Sequence, residues 1–270
     1  MNHCEAAICA VKQTGEALIQ RLSSMHWAVH RKNNDYQNLV TDCDIWVQET
    51  LVKELLRIEP RASIFAEEKE NGKIHGLTWI IDPIDGTTNF VAAQKDFAIC
   101  VALYNGDKPV FGIVHDVAAD NTYHAYSGAC AYMNDTLLPP REPVVLHDAL
   151  FDVSLATLNN LSRRADKPLF AVSRALRGHR ALGSASLAMC RIAEGRMEGY
   201  LSSKLYPWDY AASGIVLQAA GGVYAPLYKK DMLFRNCPTA VLACSDVAMW
   251  NQLAAFFRGE CDVDSLMANV

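Results

Sequence analysis

Apolar residues return along the chain with two periods, and each period predicts a different kind of element. From residue 4 to about 25 they recur every three or four positions among Glu5, Lys12, Glu16 and Arg21, which predicts an amphipathic first helix. A second helix is predicted from Thr41 to about residue 59, with Ile45, Leu51, Val52, Leu55 and Leu56 for its apolar face and Pro60 as its stop. The polar run 31–36 between them predicts an exposed, mobile loop. Short apolar runs at 62–66 and 79–81 predict strands. Two more, 97–104 and 110–115, flank the turn signal Asn105-Gly106-Asp107, and 122–125 with 129–133 suggests another hairpin around Ser127-Gly128.

Pro139, Pro140 and Pro143 then punctuate the chain, dividing an N-terminal α+β lobe, 1–145, from a C-terminal α/β lobe, 146–270. The second lobe alternates strand 149–154, helix 155–166, an extended piece ending at 181–183, and helix 184–194 stopped by Gly195. Strand 197–201, helix 209–220, strand 239–244 and helix 246–257 complete it. Such alternation suggests α/β layering. The tail 259–270 has no period and is expected to fray.

Composition narrows the function. Of 270 residues, 51% are hydrophobic and 20% charged, with a net charge of −5, so a large core is available and no nucleic-acid partner is indicated. No apolar run reaches the ~18 residues of a membrane span, and the charged first helix is unlike a secretory leader. The nine cysteines are scattered and none forms C-x-x-C, so a reduced, cytoplasmic protein is expected. His26 and His30 have H-x-x-x-H spacing but lack the glutamate of a zinc protease and read as a surface pair. Cys190 and Arg196 have C-x5-R spacing, but Cys190 falls inside a predicted helix, which argues against a cysteine phosphoenzyme.

The chemistry concentrates at Trp79-Ile80-Ile81-Asp82-Pro83-Ile84-Asp85-Gly86-Thr87-Thr88-Asn89-Phe90. A strand here is expected to end in two carboxylates around a stiff proline and to run into a Gly-Thr-Thr turn. Carboxylates suit a hard cation, and free N–H groups at a turn or helix start suit phosphate. The same residues also make an ordinary capped acidic turn, so this stretch alone does not choose. Other carboxylates end predicted elements too. Glu67-Glu68 follows the strand at 62–66, Asp44 completes a capping box with Thr41, and Asp209 after Trp208 stands where a helix begins, as its N-cap. Small residues on that helix (Ala211, Ala212, Gly214, Ala219) permit close packing.

Together these segments resemble the inositol monophosphatase family of metal-dependent, lithium-sensitive phosphatases. Asn38-Leu39-Val40-Thr41-Asp42-Cys43-Asp44, Phe65-Ala66-Glu67-Glu68, the run 79–90 and the run 208–222 match its four blocks in order, with Ala219 where the family usually has glutamate. The resemblance implies a layered αβαβα sandwich, a homodimer and Mg²⁺-dependent hydrolysis of a small-molecule phosphate monoester by metal-activated water. It implies two or three Mg²⁺ held by Glu67, Asp82, Asp85, Asp209 and the Ile84 carbonyl. Asp44, Glu67 and Thr87 would be catalytic, and Gly86 and Thr87 would hold phosphate. Gly183, Ser184, Ala185 and Asp209 would lie beside the substrate.

The match loosens on the alcohol side. Family members acting on inositol carry a glutamate where this chain has Ser202, followed by Ser203 and Lys204. Lys204 suggests a second phosphate as one alternative, so inositol phosphate, fructose bisphosphate, NADP and 3′-phosphonucleotides all stay open. A regulatory binding protein that keeps the phosphatase fold is the alternative of another class.

Overall fold

The structure, a computed structural model, describes residues 3–24, 27–31, 39–68, 74–228 and 234–268. The chain opens with α1 (His3–Ser24), a two-stranded ribbon of β1 (Val29–Arg31) and β2 (Leu39–Thr41), and α2 (Asp42–Ile58). Next come β3 (Ser63–Ala66), β4 (Leu77–Asp85) and the short α3 (Thr87–Ala93). A meander follows: β5 (Ala98–Asn105), β6 (Lys108–Asp116), β7 (Asn121–Tyr126), β8 (Ala131–Met133) and β9 (Thr136–Leu137). The remainder is β10 (Leu150–Val153), α4 (Leu155–Ala165), β11 (Gly178–Arg180), α5 (Ala185–Glu194), β12 (Gly199–Leu205) and α6 (Pro207–Ala219). It ends with β13 (Val223–Pro226), β14 (Thr239–Cys244), α7 (Val247–Phe257) and α8 (Val263–Ala268).

Two mixed sheets organise these elements. The first runs β3-β4-β5-β6-β7-β8-β9, with β3 and β4 parallel and the rest antiparallel; the second runs β11-β10-β12-β14-β13. Helices α1 and α2 cover one face of the first sheet, α5 and α6 fill the space between the sheets, and α4 and α7 cover the far face of the second. The result is the expected αβαβα layering. Three core clusters lie between the layers. In α2, Cys43, Val47, Leu51 and Leu55 recur every four residues and are buried against Trp79, Ile81 and Ile99. The buried stripe therefore shares only Leu51 and Leu55 with the predicted one, and Ile45 is exposed. Removing one such leucine side chain costs about 2–5 kcal/mol.

Helix α6 is sandwiched between the sheets, and its small residues allow that. A Cβ on Gly112 of β6 would meet the Ala212 carbonyl at 2.5 Å, so strand and helix touch through backbone. Tyr104 fixes the contact by donating its hydroxyl to the Ala211 carbonyl at 3.2 Å.

Three expectations are corrected. The strand predicted at 79–81 continues through both carboxylates to Asp85. It does so because its pairing with β5 shifts register between Asp82 and Asp85, which spares the ladder the N–H that Pro83 lacks. The tail is not wholly frayed: α8 lays Val263 and Leu266 into the outer core. Segment 202–204 belongs to a strand, since β12 extends to Leu205. The short β1, β2, β9 and β13 are additions to the predicted elements; β13, an edge strand, also contains Pro226. Residues 32–36 of the predicted loop, together with His26 and Asn38, lie outside the described residues.

Candidate active site

The carboxylates arrive from the ends of separate elements. Parallel pairing sets Ala66 beside Ile81, so Glu67 emerges next to Asp82, and its N–H donates to the Ile81 carbonyl at 3.2 Å. Gln48 of α2 clamps the next residue, accepting from the Glu68 N–H and donating to the Glu68 carbonyl, both at 2.9 Å. Asp82 is buried, and its Oδ1 accepts from the Ile84 N–H at 3.1 Å, closing the bulge.

Asp85 is braced from across the molecule. It accepts from the Ser184 hydroxyl at 2.6 Å, from the N–H groups of Ala185 and Ser186 at 3.3 and 2.7 Å, and from the Ser186 hydroxyl. The start of α5 thus steadies a carboxylate while Ser184 and Ala185 also line the adjoining cavity. Asp209 is not the expected N-cap: the helix begins at Pro207 with Tyr206 as its cap, which places Asp209 three residues inside the cap, in the first turn of α6. Its Oδ2 accepts from the Tyr206 N–H at 2.7 Å.

One oxygen each from Asp82, Asp85 and Asp209 lie within 4.8 Å of one another. Burial, then the charges of Glu67, Asp85, Asp209 and Asp44, push the Asp82 carboxyl well above its ordinary range. Burial likewise raises Asp85, against the pull of its hydrogen bonds from Ser184 and Ser186. Like charges crowded in a dry site are relieved by a cation, and a donor set made only of oxygen suits a hard divalent ion. These residues fit a metal site.

Asp44 stands beside this cluster and is fully buried. Its Oδ2 accepts from the Thr41 N–H at 2.7 Å and the Thr41 hydroxyl at 2.5 Å, in the expected capping box. Its Oδ1 lies 3.4 Å from the Thr87 hydroxyl, which also donates to the Ile84 carbonyl at 3.0 Å. Gly86 caps α3 with φ of +87°, and a Cβ there would lie 3.0 Å from the Asp96 carbonyl. Asn89, one of the polar residues that close the run 79–90, donates to the Asp96 and Leu182 carbonyls at 2.9 and 2.6 Å, tying α3 to the loop that carries Gly183.

A cavity of about 290 Å³ opens beside Asp85 and Asp209 and reaches Asp152, Ser154, Thr157 and Ser202. Lys204 is exposed and does not line it. The other sequence candidates fall away. Cys190 is buried in α5 with its thiol pushed far up by burial, and Arg196 pairs with Glu194 at 2.8 Å. His30 is exposed and pairs with Asp42.

Comparison with known proteins agrees with this architecture. The model of the inositol monophosphatase family matches residues 2–255. Inositol-1-monophosphatase of Bacillus subtilis (strain 168) is 36% identical over 239 residues, covering 86% of this chain and 89% of that one. The solved SaIMPase-II with inositol monophosphate bound is 25% identical, covers 98% of each chain and superposes with a TM-score of 0.78. An IMPase/NADP phosphatase complexed with Mg²⁺ and phosphate shares the fold, with a TM-score of 0.79 at 23% identity over 91% and 90% of the two chains. Fold and site define a metal-dependent phosphatase that hydrolyses phosphate monoesters. The chain belongs to the inositol monophosphatase family.

Proposed function

We propose that this protein is a Mg²⁺-dependent phosphatase acting on a small polyol or sugar monophosphate such as an inositol phosphate. The observation that carries the reading is the convergence of Asp82, Asp85 and Asp209 within 4.8 Å beside the Asp44–Thr87 pair. Asp82, Asp85, Asp209 and Glu67, with the Ile84 carbonyl, would hold two or three Mg²⁺. Bound there, Mg²⁺ supplies positive charge to the phosphoryl oxygens and acidifies water.

The chain's own groups do the rest. The 3.0 Å bond to the Ile84 carbonyl and the 3.4 Å approach to Asp44 compete for the single Thr87 hydroxyl proton. With the carbonyl engaged as a ligand, Asp44 is the acceptor left. Thr87 then keeps a lone pair that accepts the proton of the attacking water while its own hydroxyl proton passes to Asp44, which Thr41 holds in place. The N–H groups of Gly86 and Thr87, at the start of α3, lack partners within the helix and hold the phosphate. Phosphoryl transfer needs positioning and charge stabilisation more than covalent chemistry, so no protein nucleophile is required.

We read 1–145 as the lobe carrying most of the ligands and 146–270 as the lobe adding Asp209 and the alcohol cavity. The two sheets, which fall on either side of residue 145, support this division. A homodimer working in the cytoplasm completes the reading; nine unpaired cysteines are compatible with a reduced compartment. Purified protein should release phosphate from inositol 1-phosphate with Mg²⁺, stop with chelator and slow with Li⁺. No release from any ester across inositol, sugar, NADP and 3′-nucleotide phosphates would sink the proposal.

A further inference from the structure

The cavity beside the carboxylate cluster contains a group that neither the metal site nor the water-activating pair uses. Asp152, on β10, lines it together with the hydroxyl-bearing Ser154, Thr157 and Ser202. The residue is only 3% exposed. Its Oδ2 accepts from the Leu182 N–H at 3.1 Å, and among the described residues no other hydrogen bond reaches the carboxylate. A buried carboxylate with one oxygen unengaged is costly unless a donor arrives. The cation nearest in effect, Arg191, is already paired with Asp96 at 2.6 Å and does not line the cavity.

The rest of the wall says which donor fits. None of the described residues lining the cavity is basic, so a second phosphate on the substrate would find no counter-charge among them and would face Asp152. A volume of about 290 Å³ lies just below the ~300–1,000 Å³ typical of ligand sites and suits a small alcohol better than a dinucleotide. Hydroxyl groups on a small ring or chain meet both conditions. They donate to a carboxylate and exchange hydrogen bonds with serine and threonine.

We propose that Asp152 is the residue with which this cavity reads the hydroxyls of a polyol monophosphate, selecting it over bisphosphates and nucleotides. The inference rests on the phosphatase reading and adds the group that chooses the alcohol. Burial raises the Asp152 carboxyl, as expected for a group awaiting hydroxyl donors.

The competing role is structural: Asp152 holds the 181–183 loop through Leu182, and nothing more. Asp152→Asn separates the two, because the amide oxygen still accepts from Leu182 while the charge is gone. With Mg²⁺-loaded full-length protein, kcat and KM are measured for inositol 1-phosphate and for p-nitrophenyl phosphate, which has no hydroxyls. The ratio of kcat/KM for the polyol over the aryl ester should fall about tenfold, mainly through a higher KM for the polyol. An unchanged ratio, or an equal loss on both substrates, overturns the inference. A second arm needs no variant: the unsubstituted protein should prefer inositol 1-phosphate to cyclohexyl phosphate by about tenfold or more. Equal turnover of that pair, or a preference for fructose 1,6-bisphosphate, also overturns it. Failure of the phosphatase reading looks different, since no ester at all then yields phosphate.

Discussion

The carboxylate cluster and the alcohol cavity share Asp85 and Asp209 but are built in opposite ways. Most carboxylates of the site are fixed close to their own place in sequence. Asp82 closes a bulge onto Ile84, Asp44 completes a capping box with Thr41, and Asp209 caps the turn begun at Tyr206. Asp85 is the exception, held by Ser184 and Ser186 about a hundred residues away. The cavity has no such local grammar. Asp152, Ser154, Thr157 and Ser202 come from β10, α4 with its cap, and β12, joined only because β10 and β12 pair in parallel. Catalytic chemistry here is written in short motifs, and substrate choice in the packing of the second sheet.

The comparison is broken most directly at the crowded end. Asp82→Asn keeps an acceptor for the Ile84 N–H but removes a charge that burial and four neighbouring acids oppose. Activity should fall about a thousandfold or more, while the metal-free protein melts higher. A gain of 1 kcal/mol is about 2–4 °C in a chain of this size. Mg²⁺ should then raise the melting point less than it does in the parent. A variant that keeps its activity, or that melts lower than the parent without metal, contradicts a repelling, metal-holding cluster. Gly86→Ala probes the phosphate side of the same region. Its φ of +87° disfavours any Cβ by about 1–2 kcal/mol, and the added carbon would press on the Asp96 carbonyl. About a tenfold loss of kcat is expected as Thr87 shifts from Asp44, measured against a modest drop in stability.

What could be read in advance follows the same division. The two long helices and the main strands were visible because apolar periods of sufficient length pointed to them, while the αβαβα layering was implied by the family resemblance. The resemblance located Asp44, Glu67, Asp82, Asp85 and Asp209 through motifs of a few residues. The continuation of β4 through Pro83 was hidden, since only the register shift against β5 makes a proline tolerable there. The brace of Asp85 by Ser184 and Ser186, the Gln48 clamp on Glu68 and the Asn89 tie to Leu182 were hidden because each joins distant segments. Asp152 gave no signal at all. A lone aspartate in an apolar strand looks like a defect until the fold brings serine and threonine hydroxyls around it.

Acid stability offers a way to keep scaffold and site apart. His115, on β6, is 2% exposed, packs its ring against Gly15 of α1 and lies 3.0 Å through Nδ1 from the Thr122 hydroxyl. Burial lowers its pKa to about 4, from an ordinary value of 6.5; Lys12 adds to the shift and Asp120 opposes it. The unfolded chain therefore takes up this proton first. Its contribution is fully present above about pH 6.5 and is lost as pH falls toward 4, by up to about 3 kcal/mol. Denaturant melts at pH 7 and 4.5 should show the loss, and His115→Gln should flatten the slope across that interval. If the slope is the same in both proteins, acid loss arises elsewhere, and activity profiles in that range cannot be assigned to the cluster.

The smallest effect expected is also the sharpest test of the cavity's boundary. Lys204 was the one residue near the alcohol side that suggested a second phosphate. It extends from β12 two residues beyond Ser202, exposed and outside the cavity wall. A lysine that stays in water keeps its full hydration and contributes little to a ligand it does not touch. Lys204→Ala should therefore leave kcat/KM for inositol 1-phosphate within about twofold, at low and at high salt. A larger loss confined to fructose 1,6-bisphosphate would mean that the cavity extends to this lysine and takes a second phosphate. Substrate choice would then lie on the exposed face of β12, and Asp152 would be left with Leu182 as its only task.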